Sequence, residues 1–428
     1  MSLAILGGKP VRNNPFPAYR TIGEEEKEAV NRVLDSGVLS QFLGCWHDHF
    51  YGGPEVQALE KEWAAHFKVK HAIAVNSCTS GLYAAVGAVS TEPGDEIIVP
   101  PFTMSASVMA PLIFNAIPVF SDIEPDYFCL DASVLEEKIT SRTRAIIVVD
   151  LFGQAYDFEN IRSIAQKHNL TVIEDCAQSP GALYKQNFAG TLGDIGVYSL
   201  NYHKHIHCGE GGMVVTNNDN LAEKIQLIRN HAEAVVGSKK SKDLTNMIGF
   251  NFRMTEIEAA IARCQLEKLP QLVEKRQENV SYLENHLSKI PALTMPLVRK
   301  DGTHTYYVHA IKYNEQVLGI KREAFTKAIK AELQPTTLRE NEGVKIGNGY
   351  IAPLYHLPIF QNQIAYGSKG YPFNTGEYNY DRGHCPVTEA LYERTLITHE
   401  LIHPGMTKDD LDDVIFAFEK VFKEGMVI

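Results

Sequence analysis

The sequence predicts an α/β fold, with an open, mostly parallel sheet covered by helices and a smaller α+β unit following it. Three features carry that expectation. Between positions 70 and 175 five short apolar runs recur, HAIAVNS, EIIVP, IPVFSDI, RAIIVVD and LTVIED. Each is β-rich and nearly continuous in its apolar character, as a strand buried on both faces of a parallel sheet must be. Helix-like stretches such as SGLYAAVGAV, SASVMAPLIF and ENIRSIAQKHN separate them, so strand and helix alternate in the order that builds parallel sheets. Beyond Gly249 the pattern gives way to long helices of mixed charge. A chain of 428 residues also exceeds one ordinary core, which fits two packed units.

Residues 1–20, with two glycines and several prolines, are expected to form an arm lying over another part of the chain. The run TIGEEEKEAVNRVLDSG places acids at a helix start and Val30, Val33 and Leu34 at helical spacing. Gly37 then offers the stop. Residues 38–54 hold His47, His49 and Gly52-Gly53-Pro54 and read as a loop. Glu55–Phe67 resumes helical periodicity, and the alternating strands and helices complete a large domain over 21–275. The remainder, 276–428, combines the strand candidate TYYVHAIKY with the helices REAFTKAIKAEL and KDDLDDVIFAFEKVF. Within it, 340–385 is rich in Gly, Tyr, Asn and Pro. A stretch of that length without periodicity is expected of a substrate loop or a disordered insertion.

The formal charge of −11 argues against nucleic-acid binding, which needs clustered Lys and Arg. Seven cysteines are scattered and never spaced as C-x-x-C, a pattern of reduced thiols in a cytoplasmic protein. The N-terminus lacks the features of a secretory signal, and no apolar run reaches the roughly 20 residues that span a bilayer.

In open α/β sheets ligands lie beyond the carboxyl ends of the strands. Four polar clusters follow short apolar runs or open a helix. Asn76-Ser77-Cys78-Thr79-Ser80-Gly81 joins a strand to a helix; such a turn cradles phosphate with backbone N–H groups or simply caps the helix. In Glu174-Asp175-Cys176-Ala177-Gln178 the aspartate can pair with a pyridine nitrogen and keep it protonated, while Gln178 can reach a ring oxygen. Ser199 precedes Lys204 by five residues, and Gly209-Glu210-Gly211-Gly212 follows. That arrangement suits a lysine forming a Schiff base, with glycines that let the backbone approach a cofactor. Beside it, His203, His205 and His207 alternate. They could ligate a metal, but no acid or thiol follows at a persuasive spacing, so they are expected to line a polar substrate mouth. Finally, Asn251 and Arg253 open a long helix and can reach an anion or cap the helix.

Together these blocks resemble the DegT-type aminotransferases, pyridoxal-phosphate enzymes that aminate nucleotide-linked keto-sugars and keto-cyclitols. The likeness runs from Gly53-Pro54-Glu55-Val56 through Pro101-Phe102-Thr103, Gly153-Gln154 and the clusters above to His403-Pro404. It implies a PLP fold type I enzyme, similar to aspartate aminotransferase, with a mostly parallel seven-stranded sheet and a homodimer that shares its active sites. Lys204 would bind pyridoxal 5′-phosphate and shuttle the proton, cycling the cofactor through pyridoxamine 5′-phosphate. Asp175 would pair with the pyridine nitrogen and Gln178 with the ring oxygen. Ser199 and the backbone of Cys78 and Thr79 would hold the phosphate, and Asn251 would reach the phosphate of the cofactor across the dimer. Met104 stands where the family places an aromatic over the ring, and Cys78 where a glycine is usual. The implied reaction moves an amino group from glutamate or glutamine to a keto-sugar or keto-cyclitol. Relatives that instead dehydrate a sugar carry histidine in place of the lysine; a non-enzymatic relative would not need Lys204, Asp175 and Gln178 together. Candidates for substrate contact are His203, His205, Arg229, Arg253, Tyr306, His309, Tyr355 and His356.

Overall fold

The computed structural model describes residues 2–424. Seven strands form the main sheet: β1 (His71–Val75), β2 (Glu96–Val99), β3 (Ile117–Phe120), β4 (Thr143–Val149), β5 (Thr171–Asp175), β6 (Ile195–Ser199) and β7 (Gly212–Thr216). Their order is β1-β7-β6-β5-β4-β2-β3. All neighbours are parallel except β7, which runs antiparallel to both β1 and β6. Every residue of β2, β6 and β7 is buried, which explains the unbroken apolar runs read from the sequence.

The helices of the described residues include α1 (Glu24–Ser36), α2 (Pro54–Phe67), α3 (Cys78–Ala88), α4 (Ala106–Ile113), α5 (Phe158–His168), α6 (Asp219–Arg229), α7 (Glu256–Leu287), α8 (Arg322–Glu332) and α9 (Lys408–Glu424). The stop signal read at Gly37 is used, in the left-handed conformation with φ 69°. A capping box opens α7, where Glu258 N–H donates to Thr255 Oγ1 and Thr255 N–H donates to Glu258 Oε2. This helix runs unbroken for 32 residues, through Pro270, and packs along α1, α2 and α9. The expected division at residue 275 therefore falls inside a helix that serves both halves of the chain. Among the described residues no helix is long and apolar enough to cross a membrane.

The C-terminal part builds a four-stranded antiparallel sheet from β8 (Leu293–Thr294), β9 (His309–Tyr313), β10 (Ile346–Asn348) and β11 (Leu396–His399), in the order β8-β9-β11-β10. Its core joins Ile311 and Ile397 to Phe325, Ile329 and Phe418 of α8 and α9. The N-terminal arm lies on this core. Leu3 and Phe16 are buried in it, and Arg12 Nη1 pairs with Asp410 at 2.8 Å.

Much of the segment 340–385 packs on the main sheet. Leu354, Tyr355, Phe360, Phe373 and Tyr380 are buried against the main sheet, with the rings of Tyr355, Phe360 and Tyr380 at 5.5, 5.1 and 5.7 Å from that of Phe120. Phe120 belongs to β3, the edge strand, whose free carbonyls are a pairing hazard. Tyr380 Oη donates to Pro118 O at 3.0 Å, and His384 Nε2 lies 3.1 Å from Phe120 O. Residues distant in sequence thus close the edge of the sheet.

Behind the carboxyl ends of the strands two acids lie together. Asp150, after β4, and Glu174, in β5, are fully buried. Glu174 accepts N–H bonds from Gly190, Leu192 and Gly193, whereas Asp150 accepts from Tyr156 N–H and Cys176 Sγ. Burial first, and then the Glu174 charge, raise the Asp150 carboxyl well above its ordinary range. With three N–H donors Glu174 is the better carboxylate, so Asp150 carries the proton the two share.

Phe360→Ala should cost about 3–5 kcal/mol, read as a lowered denaturation midpoint; a midpoint unchanged from the parent would mean that the cover on β3 contributes little. The carboxyl pair sets a pH dependence. Its folded pKa is raised, so its stability contribution is complete below the carboxylate range of the unfolded chain and is lost as pH rises through the folded value. Between the two, stability falls by about 1.4 kcal/mol per pH unit for one extra proton bound. Asp150→Asn should flatten that slope in thermal unfolding measured against pH. An identical slope in the variant would rule out the shared proton.

Candidate active site

A pocket of about 430 Å³ opens at the carboxyl ends of β5 and β6 and is lined by residues from three of the four polar clusters. A larger surface cleft, about 630 Å³, lies between Thr294, Lys312 and the helical stretch 386–395 and contains none of them. Chemistry therefore selects the smaller pocket.

Asp175 ends β5 with 4% of its surface exposed. Ser107 Oγ donates to its Oδ2 at 2.6 Å and Ala177 N–H to its Oδ1 at 3.1 Å, with Cys78 Sγ at 4.0 Å. Burial pushes the carboxyl above its usual range, opposed by these two donors and by the charge of Lys204. A carboxylate so desolvated is stabilised by a cation such as a protonated pyridine nitrogen. Cys78 and Thr79 begin α3, and Ser77 caps it, its Oγ accepting from Ser80 N–H at 3.0 Å. The first N–H groups of a helix lack internal partners and suit an anion. Gly212 lets the strand beside this turn pass: a Cβ there would lie 2.6 Å from Cys78 N.

Lys204 projects from the loop between β6 and β7. Backbone bonds from Leu200 N–H to Gly211 O and from Tyr202 N–H to Gly209 O close that loop. The Lys204 Nζ stands 4.3 Å from the centre of the Tyr307 ring. Gln178 is fixed from two sides. Its Oε1 accepts Phe152 N–H at 2.9 Å, and its Nε2 donates to Tyr350 Oη at 2.9 Å. Phe152 takes a left-handed conformation, φ 62° and ψ −8°. From that turn its carbonyl accepts Tyr307 N–H at 2.8 Å, while Gly153 O accepts Thr305 N–H at 2.7 Å.

Of the residues singled out in the sequence, the pocket brings together Cys78, Thr79, Met104, Asp175, Gln178, Ser199, His203 and Lys204. Met104 is 62% exposed at its rim. The others lie elsewhere. Arg229 is fully buried, its Nη1 held by Glu60 at 2.5 Å and by Ala74 O at 3.0 Å, so it anchors β1 to α2. Arg253 Nη1 donates to Asn230 Oδ1 at 2.9 Å. Asn251 is exposed, and its carbonyl accepts from the Asn76 side chain.

Tyr306 stacks on His304 at 4.0 Å in the C-terminal core; its neighbour Tyr307 points to the pocket instead. Tyr355 belongs to the cover on β3, with its Oη donating to Glu389 at 2.6 Å, and His356 lies against the same carboxylate. His309 bonds His399 at 2.9 Å inside the C-terminal sheet. The alternating histidines do not share one wall. His203 lines the pocket, whereas His205 is buried with its Nε2 2.9 Å from Thr305 O and its pKa driven well down by burial and Arg276. His207 is half-buried, its N–H donating to Gln265. Among the described residues only Asp150, Glu174 and Cys176 bring three metal-type donor atoms within 4.8 Å of one another; the two carboxyl groups already accept backbone N–H bonds, and the Cys176 thiol meets Asp150 and Ser179.

Tyr307, Tyr350 and Ser107 escaped the sequence reading. Tyr350 lies in the 340–385 segment, and Tyr307 one residue beyond a chosen tyrosine, so the signal was present but not its direction.

The family model for the DegT/DnrJ/EryC1/StrS aminotransferases matches residues 20–419. Over 420 residues the chain is 32% identical to the spore coat polysaccharide biosynthesis protein SpsC of Bacillus subtilis, covering 96% of this chain and 98% of that one. It is 31% identical over 439 residues to the L-glutamine:2-deoxy-scyllo-inosose aminotransferase of Micromonospora echinospora, covering 98% and 97%. The solved structure of an aminotransferase from Psychrobacter cryohalolentis superposes with a TM-score of 0.80 at 29% identity, over 96% of this chain and 99% of that one. Fold, pocket and these matches agree: the chain belongs to the DegT/DnrJ/EryC1/StrS aminotransferase family, PLP fold type I enzymes whose cofactor is pyridoxal 5′-phosphate.

Proposed function

We propose that this enzyme transfers the amino group of glutamate or glutamine to the keto group of a sugar or cyclitol. The observation that carries the reading is the facing of Lys204 and Asp175 across one pocket whose third wall is a helix N-terminus. Pyridoxal 5′-phosphate, when bound, supplies the electron sink that such a transfer needs. Asp175, held by Ser107 and Ala177, would receive the pyridine nitrogen, and Gln178 the ring oxygen. The α3 turn and Ser199 would take the phosphate. Lys204 would anchor the cofactor and, at Nζ, remove or return the proton at the carbon that carries the amino group. Because donor and acceptor use the same pocket, they enter in turn.

The polar mouth, with His203, Tyr202 and Asn201, suits a hydroxyl-rich acceptor, and the name of the Micromonospora relative supports a cyclitol with glutamine as donor. A second copy of the chain would complete the site beside Asn251. Exposed Leu43, Trp46 and Ile248 on neighbouring loops offer that copy an apolar surface.

Purified protein supplied with the cofactor should be yellow and should bleach with glutamate or glutamine. Lys204→Ala should abolish the response and slow amination by at least about 10²–10⁴-fold. Protein that stays colourless with pyridoxal phosphate would overturn the reading. Colour that ignores every amino donor would favour a dehydratase.

A further inference from the structure

We infer that Tyr350 is a second hydrogen-bond donor to the ring oxygen of the cofactor, acting beside Gln178 and resting on the cofactor placement proposed above. The orientation of the Gln178 amide is fixed by its neighbours. Phe152 N–H can only donate, so the atom it meets at 2.9 Å is the amide oxygen, and the NH₂ group must face Tyr350. One of its two hydrogens goes to Tyr350 Oη, leaving the other for the pocket. Tyr350 Oη accepts that bond, so its own proton is free to point elsewhere. Burial pushes the phenol pKa up to about 12, so the hydroxyl keeps its proton and acts as a donor throughout the neutral range.

The ring of Tyr350 cannot readily swing away. It stands edge-on to Phe102 and Phe152, with centres 5.9 and 5.1 Å apart. The preceding residue is tied to β11, Gly349 N–H donating to Leu396 O at 2.7 Å. Gln178 and Tyr350 both line the pocket that holds Asp175 and Lys204. Two adjacent donors with no acid between them suit a single anionic oxygen, and the ring oxygen is the one already assigned to Gln178. Since Tyr350 comes from the C-terminal part of the chain, this contact would make the cofactor's electronic state report on the packing of one half against the other.

Tyr350→Phe keeps the ring and removes only the hydroxyl. With one donor fewer the ring oxygen holds more negative charge, and the adjoining protonated site persists to higher pH. In the holoenzyme the midpoint of the pH titration of visible absorbance should rise by about one unit, and equilibrium dialysis should show the cofactor bound about tenfold more weakly. A wild-type midpoint in Tyr350→Phe overturns the inference. So does a wild-type midpoint with only the acceptor half-reaction slowed, which would assign the hydroxyl to substrate. Unmutated protein without visible absorbance after addition of pyridoxal phosphate would overturn the cofactor placement itself, and this inference with it.

Discussion

The site depends on one strained turn. Phe152, at φ 62°, occupies a region that a bulky side chain enters at about 1–3 kcal/mol, and the surrounding bonds offset that cost. Its N–H orients Gln178 and its C=O receives Tyr307 N–H. Gly153 beside it must be glycine, with φ 124° and with Tyr306 N only 2.6 Å from where a Cβ would stand. In one dipeptide the main sheet, the Gln178 side chain and the segment carrying Tyr307 into β9 are pinned together. Loosening it would move Tyr307, and with it the wall against which Lys204 rests.

Much of this architecture was legible in the sequence, for physical reasons. Strands buried on both faces of a parallel sheet are forced into unbroken apolar runs, and polar residues immediately after them stand out. Asp175, Ser199, Lys204 and the α3 turn stand out for that reason, and they line one pocket. Side-chain direction was less legible. Tyr306 and Tyr307 are chain neighbours, Tyr306 takes a left-handed φ of 51°, and the bonds to Phe152 and Gly153 decide which ring reaches the pocket. Arg229 ends a helix that could have opened on solvent, but a carboxylate 169 positions earlier draws it into the interior. The tyrosines of 340–385 belong mostly to a cover over β3, because aromatic residues serve packing and recognition alike.

The electrostatics of the pocket follow a division of labour among acids. Asp175 faces the cavity and is held by two donors, ready for a cation. One strand position earlier Glu174 points the other way and fastens the turn at Gly190–Gly193. Asp150 shares that buried space without a cation of its own. Neighbouring residues of similar chemistry thus have opposite tasks, determined by which face of β5 they occupy.

The aromatic cover on β3 also has a bearing on how the chain is made. The edge strand ends at residue 120, but the rings that close it come from residues 354–380. At cellular rates of synthesis those residues follow on the order of tens of seconds later. Throughout that interval the nascent sheet has an open, apolar flank, so the growing polypeptide is most exposed to mispairing while it is still attached to the ribosome. The last third of the chain is thus the guard of the first.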